Sequence, residues 1–198
     1  FRARPTAAGW PNLIAHQPEN SGRPCVFLRR LRGRQAGALA ARFRTRHPHD
    51  PESALLAGEV ANAEGRITPA LRDIAHAFLV WAKAAPAADE SPPAIFGALR
   101  TAVAGLGADG HRAGSDRLRS AAGRLGTLAS AFGEFGTAAV LLDAAAALGA
   151  PDAAQNRAAL ALYDPGLDAD GLASVHRAFA NGIRARAGTT AAPAAHSR

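Results

Sequence analysis

Residues 58–70 read GEVANAEGRITPA, and residues 126–138, at an offset of 68 positions, read GTLASAFGEFGTA. In both stretches a glycine is followed seven positions later by a second glycine, and then by a large apolar residue and an alanine in matching places. Another alanine follows seven positions on, at Ala77 and Ala145. Small residues at this spacing let two antiparallel helices approach closely, and the second glycine can end the first helix. The pattern predicts two helical hairpins built in the same way.

The composition favours helices along the whole chain. Of the 198 residues, 48% are hydrophobic but only 6% are aromatic, and alanine and leucine dominate the apolar fraction. Alanine is the best helix former and is depleted in strands, so we predict an all-α protein. No apolar run approaches the roughly 20 residues that a bilayer-spanning helix needs. The single cysteine, Cys25, excludes an intramolecular disulfide.

Apolar periodicity and turn residues place the individual helices. We expect helices over residues 31–47, 51–64, a following helix with the stripe Leu71, Ile74, Phe78 and Trp81, and then 92–106, 121–132, 135–149, 152–163 and 168–186. Asp50 and Asp168 are expected to cap helices, and Thr68 with Pro69 to begin one. Between residues 110 and 120 two interpretations stay open: a short separate helix, or one longer helix that runs through Gly123.

The glycine and alanine positions resemble the tetratricopeptide (TPR) repeat, whose period of 34 residues fits twice into the offset of 68. The resemblance implies an α-solenoid, an array of TPR-like antiparallel helical hairpins, over residues 31–163. A basic irregular arm would precede it at 1–30, and a capping helix at 164–187 and a disordered tail at 188–198 would follow. The aromatic positions of the repeat are mostly replaced by alanine or leucine.

In such an array the first helices of the hairpins line a concave groove, which binds an extended segment or a helix of another protein. By this geometry the resemblance implies six groove-facing residues: Glu59, Asn62, Ala63, Thr127, Ser130 and Ala131.

The positive charge is concentrated near the N-terminus. Residues 1–49 contain ten arginines and one acidic residue, whereas residues 50–198 contain 13 basic and 15 acidic residues, within a net charge of +7. The densest cluster consists of Arg29, Arg30, Arg32, Arg34, Arg42, Arg44 and Arg46. Such a cluster can contact nucleic acid, anionic lipid or an acidic protein surface, or remain a solvated face.

No motif predicts catalysis. Residues 105–110 read GLGADG, but a helical segment precedes them and no acid follows at the distance of a dinucleotide site, so we interpret them as a loop between helices. His47, His49 and Asp50 have the residue types of a metal site without further ligands nearby in sequence. Cys25 has no neighbouring base. We predict a protein that is not an enzyme, with no metal and no cofactor.

Residues 160–180 read LALYDPGLDADGLASVHRAFA. The turn at Tyr163 and Pro165, followed by a helix with His176 and Arg177, is similar to the stretch that joins the TPR array to the catalytic half in bacterial relatives of O-linked N-acetylglucosamine transferase. The resemblance implies an acceptor-recruiting arm or a truncated relative of such an enzyme. It carries over no catalytic residue.

Three functions are therefore expected. The first is a non-catalytic TPR-like scaffold that binds another protein within a larger assembly. The second is the glycosyltransferase arm just described. The third is a subunit of an RNA-containing or respiratory complex, anchored by the arginine-rich arm. The expected location is the cytoplasm, with an organellar matrix after presequence removal as the alternative.

Overall fold

The computed structural model describes residues 33–106 and 115–190, which form eight α-helices and no strand. The helices are α1 Gly33–Arg46, α2 Pro51–Ala63, α3 Ile67–Trp81, α4 Pro92–Gly105, α5 Ser115–Ala131, α6 Phe135–Ala147, α7 Ala153–Ala161 and α8 Ala169–Thr190. This part of the chain is all-helical, as the composition predicts.

Helices α2 and α3 form the first hairpin. Asp50 caps α2, because its Oδ2 accepts a hydrogen bond of 2.8 Å from the N–H of Ser53, and a proline follows at the first helical position. Gly65 ends the helix with a φ of +73°, in the left-handed region that glycine adopts without strain. The N–H of Arg66 then donates to the carbonyl of Ala61 at 2.8 Å, which closes the helix end.

Helices α5 and α6 form a second hairpin with the same turn. Gly133 has a φ of +78°, and the N–H of Glu134 donates to the carbonyl of Ala129 at 3.0 Å. Both atoms of this hydrogen bond stand 68 positions after their counterparts in the first hairpin. The two sequence stretches therefore adopt the same backbone path at the turn.

The two helices of each hairpin approach closely at a glycine. A Cβ atom on Gly58 would lie 2.5 Å from Cγ1 of Ile74 and 3.2 Å from the carbonyl of Ala70. A Cβ on Gly126 would lie 2.7 Å from Cγ of Leu142 and 3.3 Å from the carbonyl of Ala138. These distances are too short for a side chain, so both hairpins depend on glycine at this position.

The hairpins pack directly against each other. Helix α3 packs on α5, α1 packs on α2, and α6, α7 and α8 follow one another at the other end. Helix α4 contacts α3 and α6, and Phe96 on α4 packs edge to face on Phe132 with 5.6 Å between ring centroids. Helix α4 thus packs on the second helices of the two hairpins, α3 and α6, and does not lie between the hairpins.

For the open question about residues 110–120, the structure describes only residues 115–120, which belong to α5. Residues 107–114 lie outside the description, and α5 then runs without interruption through Gly123. The prediction of Thr68 and Pro69 as the start of α3 is wrong, since the helix begins at Ile67 directly after the turn. Asp168 is confirmed as a cap, because its Oδ1 accepts a hydrogen bond of 2.8 Å from the N–H of Gly171.

The core is built from alanine and leucine with a few large side chains. Phe78, Phe96, Leu71 and Ile74 are fully enclosed, and the same cluster continues through α5 and α6 to Ala153 and Leu160. Along α8 the apolar side chains of Leu172, Val175 and Phe179 are only half-buried, and Ile183 is 45% exposed. The helix extends to Thr190, beyond the predicted end near residue 186.

The close approach within the second hairpin predicts a specific sensitivity. We expect Gly126→Ala to lower the free energy of unfolding by about 1–3 kcal/mol, because the added methyl group must displace Leu142 and the α6 backbone. The measurement is urea unfolding followed by circular dichroism.

Gly123 provides the matched control one turn earlier on the same helix. Its added Cβ would meet Ala145 only at 4.0 Å, an ordinary contact. Gly123→Ala should therefore be neutral or stabilise the protein by about 0.5–1 kcal/mol through the helix propensity of alanine. Equal effects of the two substitutions would contradict the packing described above.

Candidate protein-binding surface

Two ion pairs connect the first helices of the two hairpins, α2 and α5. Nε of Arg117 lies 2.6 Å from Oε1 of Glu52, and Nη2 of Arg124 lies 3.0 Å from Oε1 of Glu59. The Glu59 side chain is only 14% exposed. The Glu59–Arg124 pair is therefore shielded from solvent more than the Glu52–Arg117 pair. Long side chains thus join the two helices without close contact of their backbones.

The spacing of the pairs shows how α2 and α5 run. Glu52 and Glu59 are seven residues apart, and so are Arg117 and Arg124, which is two helical turns in each case. The two helices must therefore run parallel, with residue 59 level with residue 124. One turn further on, Asn62 and Ala63 come level with Thr127.

The six predicted groove residues divide into two kinds. Glu59 is engaged with Arg124 and holds the hairpins together. The other five lie towards the C-terminal ends of α2 and α5, where Ala63, Thr127 and Ala131 are exposed while Asn62 and Ser130 are half-buried. We call these five residues the α2–α5 surface: Asn62, Ala63, Thr127, Ser130 and Ala131.

The α2–α5 surface is composed of small side chains. The Thr127 hydroxyl donates to the carbonyl of Gly123 at 3.2 Å, and the Ser130 hydroxyl donates to the carbonyl of Thr127 at 2.7 Å. Because both protons are used within the helix, the surface offers acceptor oxygens and shallow relief to an incoming backbone. Such a surface can fit another chain closely but supplies no nucleophile or base.

Arg44, one of the predicted basic residues, is used inside the protein. Its Nε lies 3.8 Å from Oδ1 of the buried Asp73, and its guanidinium also donates to the carbonyl of Pro48. Nε of Arg72 shares the same carboxylate oxygen at 3.4 Å and pairs through Nη1 with Glu90 at 3.3 Å. The cluster ties α1 to α3, since a buried carboxylate needs such partners.

The remaining basic residues are placed differently. Arg42 and Arg46 are exposed on α1, and neither forms an ion pair within residues 33–106 and 115–190. Arg34 also lies on α1. Arg29, Arg30 and Arg32 lie outside the described residues, as do Cys25 and residues 107–110 of the glycine-rich loop.

His76 lies on α3 beside this arginine cluster. Its Nε2 is enclosed and has no hydrogen-bond partner among the described residues. Burial lowers the pKa of His76 below its ordinary value of 6.5, and the neighbouring Arg44 adds to the effect, while Asp73 opposes it. The folded protein therefore favours the neutral imidazole.

The segment around residues 160–180 forms the α7–α8 connection. Tyr163 is 57% exposed, and Oδ1 of Asp164 accepts a hydrogen bond of 2.9 Å from the N–H of Gly166 in the turn. On α8, Arg177 is exposed while His176 is half-buried. The likeness of this segment to the glycosyltransferase junction stays a prediction.

His47, which follows α1, contacts other residues of the protein. The His47 ring contacts Phe43 with 4.8 Å between centroids, and its carbonyl accepts a hydrogen bond of 2.6 Å from the Ser53 hydroxyl.

In the part of the chain that the structure describes, no three His, Cys, Asp or Glu side chains are grouped as metal ligands would be. None of the described helices is long and apolar enough to cross a membrane.

Comparisons with known proteins give no family assignment. No protein-family model, no curated protein and no solved structure matches the chain.

Sequence reasoning missed both ion pairs of the α2–α5 junction. A signal was present, since two glutamates seven residues apart on one first helix match two arginines seven residues apart on the other. It also missed the exposed apolar residues of α1, Leu39 and Phe43. Together with Arg42 and Arg46, Leu39 and Phe43 follow the spacing of one face of an amphipathic helix.

The environment of His76 predicts a pH dependence of stability. As the pH falls through about 6.5, the unfolded chain takes up a proton at this position more readily than the folded protein does. Stability must then fall with pH, and the loss is complete only below the depressed pKa of the folded state. We expect His76→Gln to lose less stability than the wild type between pH 7.5 and pH 5.5, measured by urea unfolding.

The other six histidines are common to both proteins, so their contributions cancel in this comparison. A variant with the same pH dependence as the wild type would show that His76 titrates as it does in the unfolded chain.

Proposed function

We propose that this chain is a TPR-like array of helical hairpins, an α-solenoid, which binds another protein and performs no catalysis. The proposal is supported by the two hairpins, whose turns and glycine contacts correspond at an offset of 68 residues. Hairpins that pack side by side in this way bury a continuous core and present their first helices together.

The observation that carries the proposal is the parallel pairing of α2 and α5. The ion pairs at Glu52 and Glu59 fix the relative register of the two helices, so that their C-terminal halves form one surface. A partner that contacts both helices meets a surface fixed before binding, which lowers the entropic cost of association.

The small side chains of the α2–α5 surface suit a particular mode of binding. Ala63, Thr127 and Ala131 leave room for a helix or an extended segment to approach the array closely. In this account, affinity comes mainly from shape and buried apolar area, with the Thr127 and Ser130 oxygens available to accept hydrogen bonds.

Helix α4 gives the proposed array an additional feature. Nη1 of Arg100 donates to the Thr137 hydroxyl at 2.7 Å and lies 3.7 Å from Oε2 of Glu134. These contacts attach α4 to the start of α6, behind the hairpins. We interpret α4 as a brace that links α3 to α6.

The test is affinity purification from the native source with the full chain as bait, followed by mass spectrometry. We expect the triple variant Ala63→Arg, Thr127→Arg and Ala131→Arg to retain the specific partner at least about 10-fold less than the wild type. Three long charged side chains would hold the partner away from the surface and leave charges to be desolvated. Circular dichroism would check that the variant stays folded.

The matched control is Ala104→Arg, which places the same side chain on an exposed position of α4. It should retain the partner as the wild type does. The proposal is contradicted if every protein enriched by the wild type is also enriched, to the same extent, by the folded triple variant.

A further inference from the structure

Helix α1 has two faces of different character. Ala36 and Ala40, one turn apart, are buried, and Arg44 follows on the same side towards Asp73. A Cβ on Gly37 would lie 2.7 Å from Oε1 of Glu64 and 3.8 Å from Cγ1 of Val60, so this side of α1 faces the end of α2. The close packing involves this side alone.

The other face of α1 is open and carries a regular pattern. Leu39 is 42% exposed and Phe43 is 40% exposed, and together with Arg42 and Arg46 they line a shallow groove of about 200 Å³. The four residues follow the i, i+3, i+4, i+7 spacing of a single helix face. We call this set of four residues the α1 face.

The charge of the α1 face is not neutralised by the described protein. Arg42 and Arg46 have no acidic partner within residues 33–106 and 115–190, and α1 itself contains no acidic residue. Two large apolar side chains are therefore exposed beside two arginines that have no acidic partner among the described residues. An occupant that buries the apolar pair must also meet the arginines, so it has to be acidic.

This requirement disfavours an occupant from the same chain. Residues 1–32 contain six arginines and one glutamate, and residues 191–198 contain one arginine and no acid. A second copy that presented its own α1 face would add like charges. Coulomb repulsion at contact distance would oppose all three of these arrangements.

We propose that the α1 face binds an acidic amphipathic helix of a partner protein. One turn of that helix would place an apolar side chain between Leu39 and Phe43, and its Glu or Asp side chains would pair with Arg42 and Arg46. Helix packing of this kind places apolar residues at i and i+4 and the acids beside them. The proposal is independent of the α2–α5 surface, which lies on other helices.

The shape of the face favours a helix over two other acidic classes of partner. Nucleic acid would satisfy the arginines but leave Leu39 and Phe43 without a contact, since the phosphate backbone offers no apolar surface. A membrane is best entered by a protruding apolar face, and here the apolar side chains line a shallow groove together with the arginines. Both classes become outcomes of the test.

The test uses the full chain and a labelled probe peptide. The probe is a 20-residue helical peptide with leucines at i and i+4 flanked by glutamates, and its scrambled counterpart has the same composition. We expect fluorescence anisotropy to show binding of the probe at least about 10-fold tighter than binding of the scrambled peptide. Arg42→Glu with Arg46→Glu should weaken probe binding at least about 10-fold, and a lysine version of the probe should bind this variant better than it binds the wild type.

Arg177→Glu is the matched control, because it reverses an exposed helical arginine on α8 and should leave probe binding unchanged. Phe43→Ser is the second variant, which removes the apolar contact while keeping both charges, and it should also weaken binding. If the charge reversal alters binding and Phe43→Ser does not, attraction between charges alone explains the result and the proposal fails.

Three further outcomes would overturn the proposal. The first is binding of single-stranded RNA or of anionic phosphatidylserine vesicles, lost on Arg42→Glu with Arg46→Glu, without binding of the probe. The second is equal binding of the probe and its scrambled counterpart. The third is a photocrosslink from benzoylphenylalanine at position 39 to residues 1–32 of the same chain in the presence of saturating probe.

Discussion

The close approach of two helix backbones at Gly58 and at Gly126 is the constraint on which the described fold depends. At each site an added Cβ would fall within 3 Å of the opposite helix, so the helices could not be so near with any other residue. Since the turn glycines Gly65 and Gly133 also correspond, both hairpins acquire the same geometry. Hairpins of equal shape can pack side by side with the same faces turned outwards.

Two ion pairs add to the apolar packing between the hairpins. The pairs at Glu52 and Glu59 hold α2 and α5 parallel at a distance that only long side chains bridge. Helix α4 packs behind, on α3 and α6. In the proposed scaffold function, the small residues at the ends of α2 and α5 form one surface for the partner. A separate face on α1 combines exposed apolar residues with two arginines that have no ion pair within the described part of the chain.

Local features of the fold could be predicted from the sequence, because their causes are local. Asp50 before a proline, and glycines at the ends of α2 and α5, set the caps and turns by backbone chemistry. The position of α4 could not be predicted, since its apolar stripe fits a first helix as well as an insertion. Glu59 was predicted to face a partner, but its neighbour Arg124 is 65 positions away in the chain. Only the tertiary packing brings the two together.

A double-mutant cycle on Glu59 and Arg124 tests most directly the claim that α2 and α5 lie parallel in this register. We expect Glu59→Gln and Arg124→Gln to couple by about 0.5–1 kcal/mol in urea unfolding, as contacting charges do. The mismatched cycle pairs Glu59 with Arg117, which lies two turns before Arg124 on α5. This cycle should give a coupling near zero. Equal coupling in the two cycles, or none in the first, would contradict the arrangement of the two hairpins.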